Sequence, residues 1–165
     1  MSWGYLHMII NHFPIVGTII GCMLVIAGIV FKNTGVKISG LGTIVFAALM
    51  SVIAYLTGDS AENAVQNLPE ISKSLINRHE DIATISMYLM IPSGLLASLT
   101  LYSIWKKEKS VIFLLIITLV FSVISSAAMV FTGHTGGQIR HSEFRSNASE
   151  QYIIDNQNKA VDKDE

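Results

Sequence analysis

Long uncharged apolar stretches alternate along the chain with short polar segments. The 11 basic and 12 acidic residues all lie outside four windows, which are 13–31, 41–57, 82–105 and 111–131. Each window is about as long as a helix must be to cross the ~30 Å hydrocarbon core of a bilayer. The pattern therefore predicts an all-α integral membrane protein, an antiparallel four-helix bundle with spans at about 12–31, 41–57, 82–105 and 111–132.

The polar segments between the predicted spans differ in length. The first and third are short turns. The second, residues 59–78, has room for one or two short helices at the membrane surface, broken at Leu68-Pro69. The chain thus divides into a bundle, residues 1–144, and a polar tail, residues 145–165, which we expect to be mobile.

The first span carries two local signals. Asn11 is a suitable N-cap, and Pro14 is acceptable in a first helical turn, where its missing N–H would have no partner. Gly17 and Gly21 form a GxxxG motif that Gly28 continues. Such glycines allow two helices to approach closely in lipid, and they could equally make room for a flat macrocycle. The motif is compatible with both interpretations.

The composition excludes several classes of protein. Of the 165 residues, 51% are hydrophobic and 14% are charged, and the formal net charge is −1. Soluble globular domains and disordered chains are far more polar, and nucleic-acid binding requires a basic surface for the phosphates. A single cysteine, Cys22, excludes a disulfide framework within the chain, and we expect it to pack inside the first span. No CxxCH motif is present, which excludes a covalently attached c-type haem.

Lysines are concentrated in the turns after the first and third spans. This side has one acid, Glu108, against five lysines, Lys32, Lys37, Lys106, Lys107 and Lys109. The opposite side has six basic and eleven acidic residues. Short lysine-rich turns normally stay in the cytoplasm. We therefore expect a multi-pass protein of the bacterial inner membrane, with both termini and the long connector in the periplasm.

The five histidines all lie on the predicted periplasmic side, at or near the ends of the first, third and fourth spans: His7, His12, His79, His134 and His141. Ionisable residues at membrane depth are costly and usually mark a functional site. Imidazole binds haem iron and also Zn, Cu or non-haem Fe, and bundle proteins build such sites from facing helices. The histidines therefore predict either a haem site or a Zn, Cu or non-haem Fe site. The nearby carboxylates of Glu80, Asp81 and Glu143 are compatible with the second kind of site.

Two arginines on the same side, Arg78 and Arg140, could pair with haem propionates. If the helix of the fourth span continues, His134, Gln138 and His141 would share one helix face. The sequence has no nucleophile–base arrangement, no phosphate loop and no paired carboxylates in a cleft. We therefore expect electron transfer rather than independent catalysis.

Several short motifs occur in a characteristic order: His12-Phe13-Pro14 five residues after His7, Thr57-Gly58-Asp59, Leu68-Pro69, His79-Glu80 and Gly133-His134-Thr135-Gly136-Gly137. Over about residues 5–144 the chain resembles a bacterial family of four-span membrane proteins of unknown function, which has an HFP-type motif in span 1 and a GHxGG motif in span 4. The resemblance marks His7, His12, His79 and His134 as site residues, together with the glycines Gly58, Gly133, Gly136 and Gly137. His141 matches only some members, and the resemblance implies no activity.

The leading hypothesis is a membrane b-type cytochrome subunit with one or two haems b near the periplasmic face. His12, His79 and His134 are its expected core ligands, because each begins or ends a different span and could point inward. His7 is the expected fourth ligand, which would give two neighbouring haems.

The partners in this hypothesis are a periplasmic c-type cytochrome, other subunits of a membrane complex, or quinol. We expect the connector 59–78 to cover the cofactor. Two alternatives remain open, a His-rich Zn-, Cu- or Fe-binding membrane protein and a structural subunit of a respiratory or photosynthetic assembly.

Overall fold

The computed structural model describes residues 2–69, 71–145, 147 and 150–154. Its elements, in chain order, are the helices α1 (Trp3–Ile10), α2 (His12–Val30), α3 (Thr34–Leu56), α4 (Gly58–Val65), α5 (Lys73–Lys106) and α6 (Val111–Arg140), and then a 3₁₀ helix (Ser142–Phe144). The described residues contain no strand, so the predicted all-α fold is confirmed. The predicted mobility of the tail concerns residues that lie mostly outside the described ones.

Four stretches are long and apolar enough to cross a membrane: Trp3–Val30, Thr34–Leu56, Lys73–Lys106 and Val111–Arg140. In the bundle, α2 packs against α3 and α6, and α5 packs against the same two helices. The four long helices therefore form a ring in the order α2–α3–α5–α6, with neighbours antiparallel. We call the end of the bundle that carries the five histidines the histidine end, and the opposite end the lysine end.

The first span begins differently from the prediction. Asn11 lies between α1 and α2 with helical backbone angles, φ −60° and ψ −20°, and its side chain makes no capping hydrogen bond. The helical stretch instead begins at Trp3, and the Ser2 hydroxyl caps α1 by accepting a hydrogen bond from the Tyr5 N–H. Asn11 therefore has the expected N-cap position of α2 but does not cap it through its side chain, and the apolar stretch begins with an additional helix that carries His7.

The connector between the second and third spans is only partly a separate helix. α4 packs against α1, where a Cβ atom on Gly4 would lie only 2.6 Å from the Ser60 carbonyl oxygen. The predicted break at Leu68-Pro69 lies in the segment between α4 and α5. α5 then begins at Lys73 and has 34 residues. At 1.5 Å per residue it is ~51 Å long, so it extends beyond the hydrocarbon core.

Glycines bring α2 and α3 into close contact. A Cβ atom on Gly21 would lie 2.6 Å from Ile44 Cγ1 and 3.1 Å from the Gly40 carbonyl oxygen. A Cβ atom on Gly28 would lie 2.6 Å from the Lys37 backbone nitrogen. No side chain fits there unless the helices move apart, which is the usual role of small residues between helices in lipid. The GxxxG motif therefore serves helix packing, and the alternative of room for a macrocycle is wrong.

Hydroxyl pairs join α5 and α6 in place of glycines. The oxygen–oxygen distances are 2.8, 2.8 and 2.9 Å in the pairs Ser86–Thr132, Ser93–Ser125 and Thr100–Thr118. Interhelical hydrogen bonds of this kind contribute about 0.6 kcal/mol each in a membrane protein. The pairs recur every seven residues, so one face of α5 contacts one face of α6 along most of their length.

The apolar core receives residues from all four long helices. Nearer the lysine end, five residues form one cluster, Val25, Leu41, Ile44, Ala97 and Leu115. A second cluster lies nearer the histidine end and consists of Ala47, Ala48, Met90 and Met129. Cys22 is buried, as expected. The bundle centre is thus closely packed away from the histidine end.

Candidate functional site

His79 lies in the second turn of α5, at the histidine end, and is half-buried. Its Nδ1 atom is 3.1 Å from the carbonyl oxygen of Thr132 and 3.3 Å from the hydroxyl oxygen of Thr135, both on α6. A carbonyl oxygen can only accept a hydrogen bond, so Nδ1 carries the proton and donates it. The Nε2 atom of the neutral ring then keeps a free lone pair, with which an imidazole can bind a metal.

His7 has the same kind of environment at the same end of the bundle, but against α3 instead of α6. It lies on α1, is half-buried, and its Nδ1 atom is 2.8 Å from the carbonyl oxygen of Ala54. The hydroxyl oxygen of Thr57 is 3.3 Å from the same Nδ1 atom. His7 is therefore also protonated on Nδ1, and its Nε2 atom is the one available for a ligand.

His7 and His79 lie at the same end of the bundle, and each hydrogen bonds to a carbonyl near the end of a different helix, α3 for His7 and α6 for His79. Within the part of the chain that the structure describes, each ring forms its hydrogen bonds through Nδ1 and none through Nε2. Metal-binding histidines typically donate their other ring N–H to a carbonyl or a carboxylate, which fixes the ring and its tautomer. These two residues, called the histidine pair below, form the candidate ligand site.

His12 and His134 do not join the histidine pair. His12 is exposed on the outer surface of α2, next to Phe13. His134 is exposed on α6, and its Nε2 atom accepts a hydrogen bond from the Gln138 amide at 3.1 Å. The inward orientation expected for these two histidines is therefore not found.

His141 also lies away from the pair, where α6 ends. Its backbone is extended, with φ −107° and ψ 93°, so it does not share the expected helix face with His134 and Gln138. Its Nδ1 atom lies 3.0 Å from a carboxylate oxygen of Glu143. The pKa of the Glu143 carboxyl is lowered first by its own backbone N–H and then by this histidine. Arg145 closes the end of α6 by donating through Nε to the Gln138 carbonyl at 3.0 Å.

Of the three glycines in the GHxGG motif, Gly136 contacts the histidine pair. A Cβ atom on Gly136 would lie 3.0 Å from Cε1 of His79, so the glycine makes room for the imidazole. Gly133 instead makes room for Ile15, whose Cδ1 would be 2.8 Å from its Cβ atom. Nothing lies within 4 Å of the corresponding position on Gly137.

Charged side chains surround the same end of the bundle. The guanidinium carbon of Arg78 lies 5.6 Å from the centre of the Tyr152 ring, and Arg140 is exposed at the end of α6. The acidic residues Glu80 on α5 and Glu62 on α4 lie at this end as well. Among the described residues, no three or more His, Cys, Asp or Glu side chains are grouped to hold a metal ion.

The groups that hold the histidine pair in place are not among the site residues predicted from the sequence. Two are backbone carbonyls, of Ala54 and Thr132, which leave no trace in a sequence. The other two are the hydroxyls of Thr57 and Thr135. A usable signal was present, because each threonine is followed directly by a glycine at the same end of the second and fourth spans.

The chain belongs to the family described as Predicted membrane protein (DUF2231), whose model matches residues 5–143. The match includes all four long helices and both residues of the histidine pair, and it agrees with the resemblance noted from the short motifs. No curated protein matches the chain, and no solved structure matches it. The family is a membrane-protein family, and its description includes no activity.

Proposed function

We propose that the chain is a membrane b-type cytochrome subunit in which His7 and His79 bind one haem iron and electrons pass to or from a partner protein. The observation that supports this proposal is the pair of Nδ1–H···O=C hydrogen bonds, 2.8 Å to Ala54 and 3.1 Å to Thr132. They leave both Nε2 atoms available as ligands, in fixed tautomers. This is the arrangement that orients a metal-binding histidine and raises its basicity.

Haem iron suits a site with two protein ligands, because the porphyrin supplies four nitrogens and two imidazoles complete the coordination. Zinc normally takes three or four protein ligands. α1 leads directly into α2, and α2 lies diagonally opposite α5 in the helix ring. A group held by His7 and His79 would therefore lie near the bundle axis. One haem is proposed rather than two, since His12 and His134 are exposed.

The other residues of the site would hold and orient the group. When bound, haem supplies one-electron redox chemistry. Gly136 leaves space for the His79 ring, and Arg78 and Arg140 provide positive charge for the propionates at the same end of the bundle. A single haem at one end cannot carry electrons across the membrane, so the partner must bind on that side. A c-type cytochrome, another subunit of a membrane complex and quinol are the candidates.

The charge distribution supports a periplasmic position for the histidine end. The two short turns between spans carry five lysines against one acid and lie at the lysine end, which the positive-inside rule assigns to the cytoplasm. In a bacterial inner membrane the histidine pair, α4 and both chain termini would then face the periplasm.

Four single substitutions test the proposal, His7→Ala and His79→Ala against the controls His12→Ala and His134→Ala. Each protein is purified, its haem content is measured as the pyridine haemochrome, and its metals are measured by elemental analysis. We expect the first two variants to lose haem or to change from low-spin to high-spin iron, and the two controls to keep the spectrum of the unsubstituted protein. Unsubstituted protein that has no Soret band, and gains none when haem is added, would overturn the proposal. Near-stoichiometric Zn or Cu without porphyrin absorbance would favour a metal site instead.

A further inference from the structure

The buried face of α2 recurs in α5. For each of the six buried residues of α2, the residue 72 positions later lies in α5 and is also buried. Three such pairs are Gly21 and Ser93, Val25 and Ala97, and Gly28 and Thr100. The same separation of 72 residues relates His7 to His79. The two helices therefore present the same register of positions to the core, although the residue types differ.

α3 and α6 are related in a similar way, with a separation of 78 residues. Four of the six buried residues of α3 have buried counterparts in α6, and three of these pairs are Gly40 and Thr118, Ile44 and Ser122, and Ala47 and Ser125. The same separation relates Thr57 to Thr135 and Ala54 to Thr132. These are the four residues whose hydroxyl or carbonyl groups contact the histidine pair.

The packing of the helices is consistent with a twofold relation between the two halves. α2 and α5 each lie between α3 and α6, so a half-turn about the bundle axis exchanges α2 with α5 and α3 with α6. Thr18 and Met90 are counterparts at a separation of 72 residues, and their Oγ1 and Sδ atoms meet at 3.5 Å. A contact between counterparts is expected where the axis passes.

We infer that the bundle consists of two equivalent helix hairpins, α1–α2–α3 and α5–α6, whose shared axis passes between His7 and His79, and that Thr57 and Thr135 are the equivalent positioning residues of the two imidazoles. The first hairpin contributes His7 from α1, and the Ala54 carbonyl and Thr57 hydroxyl from the end of α3. The second contributes His79 from α5, and the Thr132 carbonyl and Thr135 hydroxyl from α6. The ligand that fits such a site is a single metal-centred group bound from two sides by equivalent Nε2 atoms. The identity of that ligand depends on the function proposed above, whereas the role of the threonines does not.

The hydroxyl hydrogen bonds explain how the threonines act. Thr57 Oγ1 donates its proton to its own helix, where the carbonyl oxygens of Ile53 and Ala54 lie at 2.9 and 3.0 Å. Thr135 Oγ1 donates in the same way to the Thr132 carbonyl at 3.0 Å. Each hydroxyl therefore turns a lone pair toward the histidine Nδ1 atom, which must carry a proton to avoid repulsion. The Nδ1–H tautomer is thereby favoured twice, once by a carbonyl and once by a hydroxyl.

The tautomers can be measured on the haem-free full chain in lipid nanodiscs by nitrogen NMR of labelled histidine, above the ordinary imidazole pKa. Signals are assigned by substituting one histidine at a time. We expect His7 and His79 both to be protonated on Nδ1 and unprotonated on Nε2. Protonation of either ring on Nε2 would overturn the inference. This NMR measurement needs no haem, so its outcome is independent of the haem content and the Soret band that test the proposed function.

The positioning role is tested by Thr57→Val and Thr135→Val. Each removes one hydroxyl at nearly constant volume, and we expect the Nδ1–H of the matching histidine to exchange with water about tenfold faster, as for one lost hydrogen bond. Thr57→Ser and Thr135→Ser keep the hydroxyl and should restore slow exchange. Thr43→Val is the matched control, because the Thr43 hydroxyl bonds to Ser39 on the exposed face of α3. If either valine variant leaves its own histidine unchanged, the two threonines are not equivalent and the inference fails.

Discussion

The contact between Gly136 and His79 gives the sharpest test of the site. In Gly136→Ala the new methyl carbon would lie 3.0 Å from Cε1 and 3.3 Å from Nδ1 of His79. The helix backbone carries this methyl group and is not free to move, so the imidazole must shift by a few tenths of an ångström. This shift weakens the hydrogen bond from Nδ1 to the Thr132 carbonyl, which is 3.1 Å long before substitution.

The expected cost is that of about one hydrogen bond, about 1 kcal/mol. In the binding of haem through His79 this corresponds to a roughly fivefold weaker affinity. The measurement is a titration of haem into haem-free protein, followed by absorbance in the Soret region. Thermal unfolding of the detergent-solubilised protein shows whether the variant remains folded.

Gly137→Ala is the matched control. It changes the next residue of the same helix in the same way, but its Cβ atom has nothing within 4 Å. Both variants gain the same intrinsic helix propensity, about 1 kcal/mol from Gly to Ala, so their difference in haem affinity isolates the contact with His79. Equal affinities for the two variants would refute the reasoning, because they would mean that the position of the His79 ring does not matter for binding.

Two further predictions concern the bundle itself. Gly21→Val should destabilise the protein by about 1–3 kcal/mol through overpacking, because its Cβ atom would lie 2.6 Å from Ile44. Its control is Gly42→Val, on the exposed side of α3 with open space around it. The control should lower the midpoint of thermal unfolding far less than Gly21→Val does. Cysteines introduced at the exposed residues Thr34 and Ala64, in a cysteine-free background, should differ in labelling by an impermeant maleimide on intact cells, with Ala64→Cys labelled and Thr34→Cys protected. Equal labelling would contradict the proposed orientation.

The fold could be predicted from the sequence because one physical constraint dominates it. Charges are excluded from hydrocarbon, so the uncharged windows locate the spans, and the short turns require neighbouring spans to be antiparallel. The ends of the helices were less predictable. The third span begins at Lys73 rather than near residue 82 because the helix continues into the polar region, where hydropathy gives no signal. α1 was missed for a different reason. Its residues are apolar, but Asn11 and Pro14 suggested that the span begins there, whereas Asn11 keeps helical backbone angles and the helical stretch begins at Trp3.

The candidate site could be predicted only in part. The sequence located five histidines at one end, but which of them face each other depends on the rotation of each helix about its axis. His7 was expected to be a secondary ligand because it lies farther from the hydrocarbon core than His12. The structure half-buries His7 and exposes His12, since Asn11 keeps helical backbone angles and five residues of helix place two side chains about 140° apart. The carbonyl groups that orient the pair belong to Ala54 and Thr132, whose side chains give no indication of that role.

The two halves of the bundle achieve close helix contact through different chemistry. In the first half, glycines such as Gly21 and Gly40 let the backbones of α2 and α3 touch. In the second half, hydroxyl pairs such as Ser93–Ser125 join α5 and α6. Both solutions are stable in lipid, where association depends on packing and on interhelical hydrogen bonds. The buried positions of the two halves can therefore match in register while their residue types differ.

At the histidine end the same three groups occur in both halves, an imidazole, a backbone carbonyl and a threonine hydroxyl. Packing alone does not require this identity, because the remaining interhelical contacts show that other residue types serve equally well. A group bound by both imidazoles through Nε2 would account for it, since each ring would then need its proton held on Nδ1. The chemical agreement between the two halves is therefore concentrated where the proposed ligand would bind.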